Sequence, residues 1–338
     1  MTPVAVTESS QVAEARRVSV DLARRHGFDD EAAGRVAIVA TELATNLVKH
    51  GGGGIILSSS FDDQNGTQGV ELIAIDKGPG MANVRSSLDD GVSTAGTAGN
   101  GLGAIRRQSY AFEIFSQRGH GTVIVSRLLA KMAHGRNSNG QLPAWGAVSV
   151  PMPGETVCGD AWAIRSDSTS RTVMVVDGLG HGPDAAKVAT EAIRLFDKYW
   201  RSGPAETLKS LHAGLRATRG GAVAIARIEP VSKRVVYAGV GNIVGVIAAG
   251  NGQIKRMLSY NGTIGHNARH FQEIVYPIED TASAEIILHS DGLSSSWSFD
   301  TYPGLITQHP AMLAAVLYRD FARGRDDATI VVTKGACE

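Results

Sequence analysis

Cysteine is scarce in this chain: Cys158 and Cys337 are its two cysteines in 338 residues. They are too far apart for zinc-ligand spacing and too few for a disulfide framework, which leaves a reducing cytoplasm as the simplest setting. Net charge is missing as well. Lys plus Arg and Asp plus Glu each number 33, so the bulk electrostatics favour neither nucleic acid nor an anionic membrane as partner. No apolar run is long enough to cross a bilayer. The start, Met1-Thr2-Pro3-Val4, lacks the basic stretch and apolar run of a secretory signal. No internal repeat is visible, so the two halves are not a duplication. What is present is a 43% hydrophobic composition, enough for packed cores, and a length that suits two domains. Glycine is abundant at 40 residues, and many of these fall in the motifs below.

In the first half, the pattern predicts a strand over 4–6 and a helix from Ser9 or Ser10 to about Arg25. A second helix is capped by Asp29 or Asp30, has apolar positions Val36, Val39, Ala40, Leu43 and Leu47 at helical spacing, and stops at Gly51-Gly52-Gly53-Gly54. Strands follow over 55–61 and 70–75, joined by the turn-rich Asp62-Asp63-Gln64-Asn65-Gly66. Residues 81–99 read as a mobile loop, 102–109 as a short helix, and 111–117 and 122–128 as strands. The polar, glycine-rich His134-Gly135-Arg136-Asn137-Ser138-Asn139-Gly140 marks a domain boundary. Beyond it strands dominate, over 147–150, 160–165, 172–176, 222–228, 235–238, 244–248, 285–289 and 328–332. Helices over 184–200, 205–218 and 311–321 interrupt them. Helices set into a strand-rich order predict an α+β layering.

Three pieces of the first half suit a nucleotide. Glu42 and Asn46 lie four apart on one helix face, with Lys49 and His50 one turn on. An Asn amide oxygen can hold Mg²⁺, which keeps waters and bridges phosphates. A strand ends in Asp76-Lys77-Gly78-Pro79-Gly80, where the carboxylate can accept from an adenine amino group. Gly99-Asn100-Gly101-Leu102-Gly103 opens a helix, where backbone N–H groups favour phosphate. Each piece has a bland reading: a solvated helix face, a turn starter, an ordinary glycine turn. Their ordered combination is what carries weight.

Four aspartates of the second half suit metal-dependent phosphate hydrolysis: Asp160 in Cys158-Gly159-Asp160, Asp177 in Val175-Val176-Asp177-Gly178, Asp291 in His289-Ser290-Asp291-Gly292, and Asp326 in Gly324-Arg325-Asp326-Asp327-Ala328-Thr329. A carboxylate at a rigid strand end, with the backbone turning away at glycine, can bind a hard divalent cation. The Gly178 carbonyl can add another oxygen. A pair of such metals would activate a bridging water for in-line attack on phosphorus, with no phospho-enzyme. Taken singly, each Asp-Gly is an ordinary turn, Asp326-Asp327 caps a strand, and His181 is a loop histidine.

Residues from about 10 to 130 resemble the GHKL ATPase superfamily, and within it the anti-sigma-factor serine kinases of the RsbT type. The resemblance rests on Glu42-x-x-x-Asn46, Asp76-Lys77-Gly78-Pro79-Gly80-Met81, Asp90-Gly91-Val92-Ser93-Thr94, Gly99-Asn100-Gly101-Leu102-Gly103 and Gly119-His120-Gly121-Thr122. It implies a left-handed βαβ sandwich, the Bergerat ATP-binding fold, with ATP under a lid at 81–99. It implies that Asn46 holds Mg²⁺, Asp76 meets adenine, Thr122 backs the adenine site, and Glu42 is the catalytic base for the substrate hydroxyl. The rest of the nucleotide cradle falls on Lys49, Gly78, Gly80, Gly99, Gly101, Leu102 and Gly103. No phosphoacceptor histidine helix precedes this region, which disfavours a histidine kinase.

Residues from about 144 to 333 resemble the type 2C metal-dependent phosphatases, in their SpoIIE and RsbX-like branch. The stretches are Cys158-Gly159-Asp160, Val176-Asp177-Gly178-Leu179-Gly180-His181-Gly182, Ala238-Gly239-Val240-Gly241-Asn242, Ser290-Asp291-Gly292 and Asp326-Asp327-Ala328-Thr329. The resemblance implies an αββα sandwich with Mn²⁺ or Mg²⁺ between the sheets. It makes Asp160 and Asp177 catalytic metal holders, with Gly178, Asp291 and Asp326 completing the shell. Asp327 stands where relatives often have Asn, and Cys158 where glycine is usual. No residue is assigned to the substrate phosphate.

The expected architecture is α+β with two domains: a GHKL-type domain over 1–133, a linker over 134–143 and a type 2C phosphatase domain over 144–338. Kinase and phosphatase relatives of these types act from opposite sides of partner switching. The fusion therefore implies a bifunctional cytoplasmic regulator, with ATP and Mg²⁺ in the first domain and two Mn²⁺ or Mg²⁺ in the second. It would phosphorylate Ser or Thr on a STAS-domain antagonist or scaffold protein and hydrolyse such a phosphoester. A downstream phosphatase or sigma-factor regulator is a further partner class; nucleic acid and membrane are not expected. The alternative is a phosphatase alone, its first domain a nucleotide-gated binding module for a STAS or sigma-factor partner.

Overall fold

The computed structural model describes residues 1–62, 66–84, 101–131 and 142–336. They divide into two compact units, Met1–Pro143 and Ala144–Glu338.

The first unit runs β1 (Thr2–Val6), α1 (Ser10–Arg25), α2 (Asp30–His50), β2 (Gly54–Asp62), β3 (Gln68–Ile75), α3 (Gly101–Gln108), β4 (Ala111–Gln117) and β5 (Gly121–Leu129). The strands form one antiparallel sheet in the order β1-β2-β3-β5-β4. Helix α2 forms because its chemistry is consistent from end to end. The Asp29 carboxylate accepts from Ala32 N at 2.8 Å, Asp30 and Glu31 sit in the first turn, and Lys49 and His50 in the last. Its stripe of Val36, Val39, Ala40, Leu43 and Leu47 is buried with Ala15, Leu22, Ile56, Leu72, Ala74 and Ile124 in one core. Each large aliphatic residue so buried contributes about 1.5–3 kcal/mol. The expected lid at 81–99 falls largely on residues 85–99, outside the described residues, as do 63–65 of the expected hairpin loop and 134–141 of the expected linker.

The second unit runs β6 (Trp145–Val150), β7 (Asp160–Ser166), β8 (Arg171–Gly178), α4 (Gly182–Tyr199), α5 (Pro204–Gly214), β9 (Gly221–Glu229), β10 (Arg234–Val240), β11 (Val244–Ala248), β12 (Ile254–Met257), β13 (Ile274–Pro277), β14 (Glu285–His289), α6 (Pro310–Phe321) and β15 (Ala328–Lys334). Two sheets form, β13-β10-β9-β8-β7 and β12-β11-β14-β15-β6. The period-2 alternation of β8 explains the layering. Val173 and Val175 face the inter-sheet core with Ala226, Tyr237, Leu288 and Val331, whereas Met174 and Val176 face Val188, Ala192 and Phe196 of α4. On the other outer face α6 packs against β6 and β15. There Gly146 is required by close approach, since a Cβ on it would stand 2.2 Å from Ala311 Cα. The result is a helix–sheet–sheet–helix sandwich.

Two differences from the sequence reading have local causes. Helix α5 stops at Gly214 rather than near 218: Leu215 N makes the last helical bond, to Leu211 O, and Thr218 N then closes a tighter turn on Leu215 O that leads into β9. Strands β12 and β13 were not expected; each has four residues, too short for alternation to show.

Candidate functional site

In the first unit, the end of β3 meets the start of β5. Asp76 N donates to Thr122 O at 3.0 Å. The Asp76 Oδ1 atom accepts from Gly78 N at 2.8 Å and from Thr122 N at 3.2 Å. Ser116 Oγ lies 2.9 Å from Thr122 Oγ1 and accepts from Met81 N at 2.8 Å. Glycines permit this cradle by close approach. A Cβ on Gly78 would stand 2.7 Å from Gly51 O, one on Gly80 2.2 Å from Gln117 O, and one on Gly121 2.1 Å from Asp76 O. At the start of α3, a Cβ on Gly101 would stand 3.0 Å from Glu42 Oε2 and 3.6 Å from Asn46 Oδ1. Glu42, Asn46 and Gly101 therefore come together, as do Asp76, Gly78 and Thr122. Leu102 packs onto the core of this unit and Gly103 is buried within α3, so both fix that helix. Lys49 is exposed in the last turn of α2 and has no hydrogen bond or ion pair to a described residue. Gly99 and Asp90 lie outside the described residues.

In the second unit, the strand ends bring together aspartates far apart in sequence. Asp160 and Asp177 are directly opposed across the β7–β8 ladder. Ser290, just past β14, donates from Oγ to Asp160 Oδ2 at 2.6 Å and accepts from Thr329 N at 3.0 Å. Asp327, just before β15, accepts from Met152 N at 2.7 Å and from Gly159 N at 2.8 Å. The neighbouring Asp326 Oδ1 accepts from Asp327 N at 2.9 Å, and Asp291 Oδ2 accepts from Asn242 Nδ2 at 2.7 Å. Gly178 N donates to Gly159 O at 3.1 Å, joining the turns beside Asp160 and Asp177.

The electrostatics follow from this convergence. Burial raises the Asp160 carboxyl, and the charges of Asp327 and Asp326 add to the rise against the Ser290 hydrogen bond. Burial also raises Asp177, followed by the charges of Asp160, Asp291, Asp326 and Asp327. Asp160 and Asp327 are buried, Asp177 and Asp291 half-buried and Asp326 exposed, and carboxylates that repel one another in this way favour a partner that brings positive charge. Among the described residues, no three or more His, Cys, Asp or Glu side chains are gathered closely enough to hold a metal ion; Ser290, Asn242 and backbone N–H groups take up carboxylate oxygens instead. The Cys158 thiol is pushed up to about 12 by burial and then by Asp160 and Asp327, surroundings that disfavour the thiolate. His181 Nδ1 is 2.6 Å from Glu155 Oε1 and exposed, which places it in the loop rather than among the carboxylates.

Three contributors had no role from sequence. Ser290 orients Asp160, Asn242 holds Asp291, and Asp327 ties down the Met152–Gly159 turn. Their signal was their place inside the motifs, next to or within the Asp-bearing stretches; their hydrogen bonds are long-range and left no spacing to read.

Comparison with known proteins agrees with this division. The family described as Histidine kinase-like ATPase domain matches residues 5–128, and the family Stage II sporulation protein E (SpoIIE) matches residues 167–334. The serine/threonine-protein kinase RsbT of Bacillus subtilis (strain 168) is 34% identical over 113 residues, 33% of this chain and 84% of the kinase. The phosphoserine phosphatase RsbX of the same organism is 22% identical over 141 residues, 42% of this chain and 70% of the phosphatase. A solved structure described as belonging to the bacterial stressosome, a modular system adapted to control secondary messenger signalling, is 27% identical with a TM-score of 0.51, covering 56% of this chain and 98% of its own. The chain belongs to the RsbT-like family of histidine-kinase-like ATPases through its first unit, joined to a SpoIIE-type PP2C phosphatase domain.

Proposed function

We propose that the chain is a bifunctional partner-switching regulator. Its second unit hydrolyses phosphoserine or phosphothreonine on a STAS-domain protein, and its first unit transfers phosphate from ATP to Ser or Thr of such a protein. The observation that carries the reading is the opposed Asp160–Asp177 pair, raised by burial and surrounded by the charges of Asp291, Asp326 and Asp327. Asp160, Asp177, the Gly178 carbonyl, Asp291 and Asp326 would hold two Mn²⁺ or Mg²⁺. Bound there, the cations supply Lewis acidity and a water acidic enough to attack phosphorus near neutral pH. The protein supplies orientation: Ser290 fixes Asp160 and Asp327 fixes the turn before it. Val157 and Leu179, 39% and 57% exposed, flank Asp160 and Asp177 in the chain, which suits a protein surface as substrate.

In the first unit, Asn46 would hold Mg²⁺, Asp76 would accept from the adenine amino group, and Glu42 would take the proton of the incoming hydroxyl. The approach of both Glu42 and Asn46 to Gly101 at the start of α3 favours transfer over a purely gating role.

Two measurements test the assignments. Hydrolysis of p-nitrophenyl phosphate by the full chain is expected with Mn²⁺ or Mg²⁺; no turnover with either ends the phosphatase reading. With Asp177→Asn blocking dephosphorylation, labelled ATP is expected to label a STAS-domain protein, and Glu42→Gln to abolish the label. A STAS protein that stays unlabelled leaves the first unit a nucleotide-gated binding module.

A further inference from the structure

We propose that Arg219 receives the phosphoryl group of the substrate, an inference that rests on the phosphatase reading of the second unit. The Thr218-Arg219-Gly220 turn before β9 is fixed from several sides. Thr218 Oγ1 donates to Leu215 O at 2.7 Å and accepts from Gly220 N at 3.0 Å. His266 Nε2 lies 3.0 Å from Thr218 O. Gly220 takes φ +69, and a Cβ on it would stand 2.2 Å from Ile264 O. On the opposite side Leu179 N donates to Gly220 O at 2.9 Å, and Gly178 pairs with Gly221 in the β8–β9 ladder. The turn that carries Arg219 is thus bonded directly to the loop that follows Asp177.

The guanidinium lies along that loop. Nη2 donates to Asp184 Oδ2 at 2.7 Å. Nη1 stands 3.3 Å from the position a Cβ on Gly180 would take, and it has no hydrogen bond to a described residue. Gly180 itself lies near one carboxylate of the cluster, Asp327. The position of a Cβ on Gly159 is 3.5 Å from Gly180 O and 2.7 Å from Asp327 Oδ2, so the two flank a single glycine. Gly180 and Gly182, at φ +91 and +72, bring the loop past the arginine without side chains of their own.

Charge supplies the reason for an arginine here. A phosphomonoester carries nearly two negative charges at neutral pH, and it must approach Asp160, Asp177, Asp291, Asp326 and Asp327. Metal at the carboxylates offsets their charge but fills coordination positions. A guanidinium outside that shell offers N–H donors in a planar fork suited to phosphate oxygens, and it keeps its charge at every working pH. Asp184 occupies one nitrogen and is shared with Lys187, whose Nζ is 3.0 Å away. It holds the arginine in place and leaves the Gly180-facing nitrogen for the ester. The competing role is a staple between α4 and the turn before β9. Arg219 and Asp184 are 54% and 49% exposed, and a pair so exposed adds little to stability.

The test uses the full chain with Mn²⁺, p-nitrophenyl phosphate as substrate and inorganic phosphate as competing ligand. Arg219→Ala is expected to raise KM and the phosphate inhibition constant together by about tenfold or more, the loss of a charge-assisted hydrogen bond, with kcat changed far less. Protection of the protein against thermal unfolding by inorganic phosphate, a readout without turnover, is expected to weaken in parallel. Arg219→Lys is expected to recover part of the binding. Lys187→Ala, which removes a nearby exposed charge, is expected to leave KM where it was. Unchanged KM and phosphate inhibition in Arg219→Ala, with wild-type hydrolysis intact, overturns the role of Arg219 alone. Equal losses in Lys187→Ala overturn it too, in favour of a diffuse positive field. Absence of hydrolysis by the unaltered chain with Mn²⁺ and with Mg²⁺ removes the phosphatase reading and this inference together.

Discussion

Asp76 and Asp177 are both aspartates at the end of an apolar strand, yet the two units treat them in opposite ways. At Asp76 the backbone turns back to meet the side chain, and Gly78 N and Thr122 N donate to one carboxylate oxygen. The charge is balanced by neutral donors already in place. At Asp177 burial and the charges of Asp160, Asp291, Asp326 and Asp327 all work against ionisation. The first setting suits a ligand that brings hydrogen bonds; the second suits a ligand that brings positive charge. The chemistry of each unit follows from what surrounds its carboxylate rather than from the residue type.

The most severe way to break the contrast is Asp177→Asn. It removes the charge of a proposed metal ligand while keeping shape, and the lost transition-state stabilisation of several kcal/mol predicts a fall in metal-dependent hydrolysis of at least about a hundredfold. Without metal, the same change is expected to raise the thermal midpoint at neutral pH, because it deletes a carboxyl that ionises readily in the unfolded chain and only against burial and its neighbours in the folded one. A variant that loses activity and also loses metal-free stability would show that Asp177 is held by something other than a cation.

Asp76→Asn is the matching test in the first unit. The amide cannot satisfy the converging N–H groups as a carboxylate does if its NH₂ faces them, and recognition of an amino group is weakened. Nucleotide binding, measured by calorimetric titration, is expected to fall by about ten- to a hundredfold. Hydrolysis by the second unit is expected to be untouched. Gly121→Ala probes the same cradle through the backbone: with φ +85 and a Cβ 2.1 Å from Asp76 O, it is expected to destabilise the first unit by about 1–3 kcal/mol, read by chemical denaturation.

How much of this was legible in the sequence differs between the units for a physical reason. Helix α2 carried its own cap, charge bias and apolar stripe, so its position and the shared face of Glu42 and Asn46 could be read locally. The Asp76 turn was equally local, because Gly78 and Gly80 sit within four residues of it. The carboxylate cluster depends on register: Asp160 faces Asp177 only because β7 and β8 pair as they do. Family motifs identified its members, while nothing in their spacing revealed that Ser290 would serve Asp160 or that Asp327 would bond to the Gly159 amide. Strands β12 and β13 escaped notice because neither is long enough to display a period. Arg219 escaped for a related reason. It lies 42 positions from Asp177 in the numbering and reaches the site through the β8–β9 ladder.

The smallest effect separates charge that a cation can relieve from charge that it cannot. Asp160 and Asp177 rise from an ordinary 3.8 to about 7 and about 8 in the folded chain. Glu285 at the start of β14 is pushed up from 4.5 to about 8 by burial, against the pull of Lys334 and Arg171, and its Oε2 has no hydrogen-bond partner among the described residues. For each group the folded state binds protons more tightly than the unfolded state. Their stabilising contribution is therefore complete below the ordinary carboxyl values and is lost as pH rises through the folded ones. The metal-free protein is expected to lose stability as pH rises toward 8. Mn²⁺ is expected to abolish the share that belongs to the Asp160–Asp177 pair, because bound cation favours their charged forms. The share of Glu285 is expected to persist with Mn²⁺ and to vanish in Glu285→Gln. Denaturation across pH with and without Mn²⁺ measures both. A metal that flattened the whole profile would place Glu285 outside the cause, and one that flattened none of it would leave the aspartate pair without the cation its surroundings call for.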